Sequence, residues 1–134
     1  MTMIVSEVRP IRVLLVEDEP LISEWVAESL SALGFVICAV TNAADALGYL
    51  GSTPVDVLFT DINLPGRMDG AALARRAREL LPDLPVVYTS GRVNGLEAQL
   101  RVPGSLFVAK PYVPESVARL LAETLQPTAA RVPA

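Results

Sequence analysis

The chain has no histidine among its 134 residues, and this absence removes more chemistry than any other feature of its composition. Without an imidazole there is no Ser/His/Asp or Cys/His catalytic set, no His-ligated metal site, and no histidine to carry or relay a phosphoryl group. Cysteine occurs once, at Cys38, which excludes an intramolecular disulfide. Its position in the apolar run 35–40 reads as a buried structural thiol rather than a reactive one. Aromatic residues are scarce, at 5%, while hydrophobic residues reach 51%, so the core has to be built from Val, Leu, Ile and Ala. That balance suits an α/β protein. No apolar run approaches the roughly 20 residues a bilayer span needs, and the first residues lack the basic start, apolar block and small-residue cleavage site of a signal peptide. The expectation is a soluble, cytoplasmic protein with no membrane partner.

Strong charge of one sign is also missing. The net charge is −4, with basic residues scattered, so no electrostatic footprint for nucleic acid exists. The local group Arg75, Arg76 and Arg78 reads as a solvated helix face. Lysine occurs only at Lys110, directly after an apolar run, which sets that residue apart from the arginines.

The length is that of one ordinary domain with one core. Short apolar runs at 11–16, 35–40, 55–60, 85–89 and 105–109 alternate with amphipathic stretches, the pattern of repeated strand-helix units and a parallel sheet. Being β-branched without polar alternation, the runs are expected to be strands buried on both faces. Leu21, Ile22, Trp25, Val26, Leu30 and Leu33 recur at helical spacing before Gly34, which predicts a first helix. Asn42 can cap a second helix ending at Leu50 and Gly51, Asp69 can start a third that Pro82 stops, and Pro114 opens a last one that ends before Pro127. The connection 92–103 is the weakest helix, expected to be short or mobile. Residues 1–10 and 126–134 are expected to be flexible tails around a domain at 11–125.

In an open parallel sheet, ligands bind beyond the carboxyl ends of the strands, and right-handed crossovers bring those ends to one edge. Here the ends supply Glu17-Asp18-Glu19, Asp61, Thr89-Ser90-Gly91 and Lys110-Pro111. Carboxylates gathered at one edge repel each other unless a cation sits among them. With oxygen ligands only, Mg²⁺ is the natural choice, and Asp18 and Asp61 are the ligand candidates. Glu17 and Glu19 have a second role open to them, since acidic residues at a helix start complement the helix dipole. Asp61 closes an apolar strand before a Pro65-Gly66 loop, so its carboxylate is expected to be presented rather than buried, and able to act as a nucleophile. Attack on phosphorus asks a protein mainly for in-line positioning and charge neutralisation, which a divalent ion, Lys110 and one hydroxyl can supply.

The segments Val16-Glu17-Asp18-Glu19-Pro20, Thr60-Asp61-Ile62-Asn63-Leu64-Pro65-Gly66, Met68-Asp69-Gly70, Thr89-Ser90-Gly91 and Lys110-Pro111-Tyr112, in this order, resemble the receiver domains of two-component response regulators. The resemblance covers about 11–125. It implies a flavodoxin-like, doubly wound five-stranded parallel sheet, (βα)5, with strand order 2-1-3-4-5. It further implies that Asp61 is the phosphoacceptor and that Asp18 with Glu17 is the acidic pair organising Mg²⁺. Asn63 would lend a backbone carbonyl to the ion, Lys110 would contact the phosphoryl group, Ser90 would be the switch hydroxyl and Phe107 the switch aromatic. The donor would be a histidine kinase or a histidine phosphotransfer protein, and the signal would leave a monomer or weak homodimer through contact with a downstream protein. Arg67 looks like one residue more than the commonest form of the loop after Asp61, and 91–104 departs from the firm fourth helix of many relatives.

Two other functions compete. An aspartate-nucleophile phosphohydrolase would use the same Asp61, Mg²⁺ and lysine, but wants a second carboxylate two residues after the nucleophile, where Asn63 stands. A receiver-like interaction module that never turns over phosphate would have no need of the full residue set. The expectation is therefore a signalling phosphoacceptor and not an enzyme.

Overall fold

A computed structural model describes residues 9–91 and 100–125. The elements run β1 (Arg12–Val16), α1 (Pro20–Ala32), β2 (Val36–Val40), α2 (Ala43–Leu50), β3 (Val57–Asp61), α3 (Gly70–Leu80), β4 (Val86–Ser90), β5 (Leu106–Ala109) and α4 (Pro114–Thr124). All strands pair in parallel in the order β2-β1-β3-β4-β5. This is the doubly wound α/β arrangement expected from the sequence, and its order reverses beside β1, which makes the β1/β3 boundary the natural crevice.

Strand alternation sorts the core into two layers. Leu14, Val16, Leu58, Val86 and Tyr88 face α2 and α3, through Ala43, Ala46, Leu50, Leu73, Ala74 and Ala77. Val13, Leu15, Val57, Phe59 and Val87 face α1 and α4, through Val26, Leu30, Val117 and Leu121. Alanines on α2 and α3 let those helices lie close to the bulky strand residues. Leu58 is fully buried, and its truncation to Ala would cost roughly 2–5 kcal/mol.

Helix starts follow the sequence signals. The Asn42 side chain accepts from Asp45 N at 2.8 Å and the Asp69 side chain accepts from Ala72 N at 2.9 Å, each satisfying a first-turn N–H. Pro20 and Pro114 open α1 and α4, where a missing N–H costs nothing. Gly34, with φ of 101°, makes the turn into β2.

Several sequence expectations need correction. Only β3 and β4 are buried throughout, and β1 is buried from Val13 on; β2 and β5 are partly exposed because each has a neighbour on one side alone. Cys38, on edge strand β2, is accordingly half-buried rather than buried. Of the apolar positions that recur at helical spacing in the first helix, Leu21, Trp25 and Leu33 are exposed, and the helix is held chiefly by Val26 and Leu30. Arg78 is not a solvated charge: its Nε donates to Leu84 O at 2.6 Å and its guanidinium also to Pro103 O at 2.8 Å, tying the end of α3 to the approach to β5. Arg9, placed in the expected tail, forms a two-bond pair with Asp56. Residues 92–99, within the connection expected to be weak, lie outside the described residues, as do 1–8 and 126–134. No helix among the described residues is long and apolar enough to cross a membrane.

Candidate functional site

The carboxyl ends of β1, β3, β4 and β5 meet at one edge, and among the described residues the buried polar ones collect there: Glu17, Thr60, Asp61, Thr89 and Ser90. Parallel register sets their spacing. Asp61 lies opposite Thr89, Ser90 lies opposite Ala109, and Lys110 N continues the ladder by donating to Ser90 O at 2.9 Å.

Lys110 occupies the centre. Its Nζ donates to Asp61 Oδ2 at 2.8 Å and to Glu17 Oε1 at 2.9 Å. Burial by itself would lower the lysine's pKa, but the bonds to Asp61 and Glu17 and their charges outweigh it and raise the value, so the ammonium stays charged. Glu17 is pushed the other way from an ordinary carboxylate. Burial raises its pKa against the downward pull of Lys110 and of the Glu19 N–H, which Oε2 accepts at 3.1 Å. Both Glu17 oxygens are thus engaged, and the residue is a buried member of the site rather than a helix-dipole charge. Glu19 itself sits at the N-cap position of α1 without a side-chain cap bond.

Asp61 departs from expectation in its burial: its side chain is only 7% exposed. Lys110 covers Oδ2, and Asn63 N donates to Oδ1 at 3.0 Å, so the carboxylate is oriented from both sides. Gly70 makes this possible, since a Cβ there would collide with the Asp61 carbonyl, and its N–H instead bonds Ile62 O at 2.7 Å. Asp18 is exposed beside the pair. Carboxylate oxygens of Glu17, Asp18 and Asp61 all lie within 4.8 Å of one another. Among the described residues, three carboxylates stand against one ammonium at this edge, and an all-oxygen donor set of this kind fits a hard divalent ion.

Of the sequence-predicted residues, Glu17, Asp18, Asp61, Asn63, Ser90 and Lys110 come together. Ser90 is 1% exposed and its Oγ accepts from Asn63 Nδ2 at 3.3 Å. Phe107 does not join them. It lies half-buried in the α2/α3 layer opposite Tyr88, with the Arg101 guanidinium 4.9 Å from its ring centroid. Two features carried no site role in the sequence reading. Tyr112 packs on Phe59 with ring centroids 5.8 Å apart, and its phenol is pushed up to about 12, first by burial and then by the Glu17 charge. The Thr89 hydroxyl is buried without a hydrogen-bond partner among the described residues. Tyr112 stands directly after the Lys110-Pro111 pair, and that closeness to the lysine was its only signal.

Comparison with known proteins agrees with this geometry. The family model of the response regulator receiver domain matches residues 13–122. The chain belongs to the response regulator receiver family. This receiver is 30% identical over 108 residues to the transcriptional regulatory protein BaeR of Escherichia coli O6:H1, covering 79% of the chain and 44% of that protein. It is 38% identical over 120 residues to the sensor protein TorS of Escherichia coli K12, covering 87% of the chain and 13% of that protein. The chain therefore spans less than half the length of these curated relatives. Among solved structures, a response regulator receiver protein from Sinorhizobium medicae WSM419 superposes with a TM-score of 0.80 at 31% identity, covering 87% of this chain and 94% of that one. Receiver domains are signalling modules, and these relatives come from bacteria.

Proposed function

We propose that this receiver accepts a phosphoryl group on Asp61 from the phosphohistidine of a partner histidine kinase or phosphotransfer protein, and passes the signal on by protein contact. The observation that carries the reading is the convergence of Asp61, Lys110 and the acidic pair Glu17 and Asp18 at one sheet edge. Residues 1–134 contain no histidine, so the donor imidazole lies outside this domain.

In the transfer, an Asp61 carboxylate oxygen forms the new P–O bond as the P–N bond of the donor breaks and the electron pair returns to the imidazole. Lys110, already beside Asp61 Oδ2, is in reach of an equatorial phosphoryl oxygen and balances its charge. The Asn63 N–H keeps the carboxylate from rotating away from the line of attack. Glu17 holds the lysine from behind. Asp18, Asp61 and the Asn63 carbonyl, backed by Glu17, are the groups that would hold Mg²⁺. The ion supplies charge neutralisation for the phosphoryl oxygens when bound. Ser90 then donates to a phosphoryl oxygen, and Phe107 repacks in the α2/α3 layer as the strand ends draw inward.

Incubation with acetyl phosphate and Mg²⁺ tests this by intact-mass measurement. One phosphoryl group should be added to the wild type and none to Asp61→Asn, whose circular dichroism should match the wild type. Phosphorylation of Asp61→Asn at the full rate would sink the assignment.

A further inference from the structure

Strand alternation puts Asp61 and Ser90 in register with different layers of the core. Asp61 follows Val57 and Phe59 of the α1/α4 layer, whereas Ser90 follows Val86 and Tyr88 of the α2/α3 layer. A phosphoryl group on one has to be felt by a hydroxyl belonging to the other. Asn63 touches both. Its backbone N–H donates to Asp61 Oδ1 at 3.0 Å, and its side-chain Nδ2 donates to Ser90 Oγ at 3.3 Å. Its position is fixed by the preceding residue, since Ile62 N donates to Thr89 O at 2.9 Å and holds the start of the loop to β4.

The direction of the second bond matters. A hydroxyl has one proton and two acceptor lone pairs, and an amide NH₂ can only donate. Ser90 Oγ is therefore the acceptor toward Asn63, and its own proton points elsewhere. Resting on the reading of Asp61 as phosphoacceptor, we infer that Asn63 is a positioning residue whose amide holds Ser90 Oγ as an acceptor and so aims the Ser90 proton at a phosphoryl oxygen on Asp61. The bond is at the long end of the range for a side-chain hydrogen bond, and Asn63 is exposed while Ser90 is buried. The amide can follow Ser90 as it moves, where a shorter bond from a buried partner would hold it back.

A purely structural Asn63 would act through its backbone alone, and substitution separates the two roles. Asn63→Ala keeps the backbone N–H on Asp61 and removes only the amide. Asn63→Asp keeps the shape but replaces the donor by an acceptor, which draws the Ser90 proton away from the phosphoryl group. The experiment measures binding of the phosphoryl mimic beryllofluoride with Mg²⁺ by calorimetry on the full chain. Both substitutions are made in the wild type and in the Ser90→Ala background, and phosphorylation by acetyl phosphate is followed by intact mass. Asn63→Ala should weaken beryllofluoride binding about three- to tenfold in the wild type, as loss of one net hydrogen bond implies. In the Ser90→Ala background the same change should alter it less than about twofold. Asn63→Asp should lose more with Ser90 present than with Ser90→Ala, because any effect of the new carboxylate on the metal is common to both backgrounds. Equal losses in the two backgrounds, with phosphorylation of Asp61 intact, would overturn the coupling and leave the proposed function standing. A wild type that takes up no phosphoryl group would overturn both.

Discussion

The two ends of the sheet carry ion pairs of opposite character. At the amino end Arg9 holds Asp56 through two bonds of 3.0 Å, Asp56 also accepts from Arg12 N at 2.8 Å, and the arginine side chain is 42% exposed. One cation answers one anion, with water at hand. At the carboxyl end Lys110 is, among the described residues, the one cation paired with Glu17 and Asp61, both almost fully buried, with Asp18 as a third carboxylate alongside. The amino-end pair is complete in itself. The carboxyl-end cluster is stable only while its lysine is in place, and it gains from any further positive charge. The same chemistry closes the fold at one end and keeps it receptive at the other.

The largest expected effect separates these two ends by stability. Lys110→Met strands two buried carboxylates and should cost about 3 kcal/mol in metal-free urea denaturation, part of which added Mg²⁺ restores. Arg9→Met should cost less than about 1 kcal/mol and be indifferent to Mg²⁺. Equal costs would break the contrast. Next in size is the metal response: Asp18→Ala should weaken Mg²⁺ binding by about tenfold or more in calorimetry, with metal-free stability unchanged or raised because a repelling carboxylate is gone. An unaltered Mg²⁺ affinity would remove Asp18 from the ligand set.

The smallest effect concerns Tyr112, whose phenol is shifted from 10.0 to about 12 by burial and then by Glu17. The fold favours the neutral phenol, so its contribution to stability is complete below 10.0 and is lost as pH rises through about 12. In an ultraviolet titration of tyrosinate, Tyr112→Phe should remove a late-ionising step, and Glu17→Gln should move that step to lower pH. A Tyr112 step that ignores Glu17→Gln would mean that the aromatic residue does not sense the cluster.

Much of this architecture was legible in the sequence because local rules and the global fold agree. Asn42, Asp69 and Pro114 mark helix starts by backbone chemistry that needs no tertiary context, and the strand runs lie within two residues of the observed ones. The site residues could be read because a parallel sheet has one chemically active edge. What escaped was whatever depends on a neighbour's identity. The exposure of Leu21, Trp25 and Leu33 follows from how α1 lies against β1, β2 and α4, which hydrophobic spacing alone does not fix. The burial of Asp61 follows from Lys110 folding over it, a contact across 49 positions of sequence. Arg78 looked like surface charge because its two acceptors are backbone carbonyls, Leu84 O and Pro103 O, and carbonyls leave no trace in a sequence pattern.

The loop between β3 and α3 is fastened at both hinges, at Asp61 by the Asn63 N–H and at Gly70 by its bond to Ile62 O, in a space too close to the Asp61 carbonyl for a side chain. Between the hinges the chain turns at Gly66, with φ of 92°, and Arg67 is exposed. The loop is built like a bucket handle, rigid where it is riveted and indifferent to what hangs from its middle. The side chain at exposed position 67 can change without disturbing the rivets, whereas Gly66, at a φ that disfavours a side chain, cannot, and the chain carries Arg67 while Asp61 stays pinned. A dye or an epitope attached at position 67 would leave the rivets alone, whereas a side chain at Gly70 would strike the Asp61 carbonyl and unseat it.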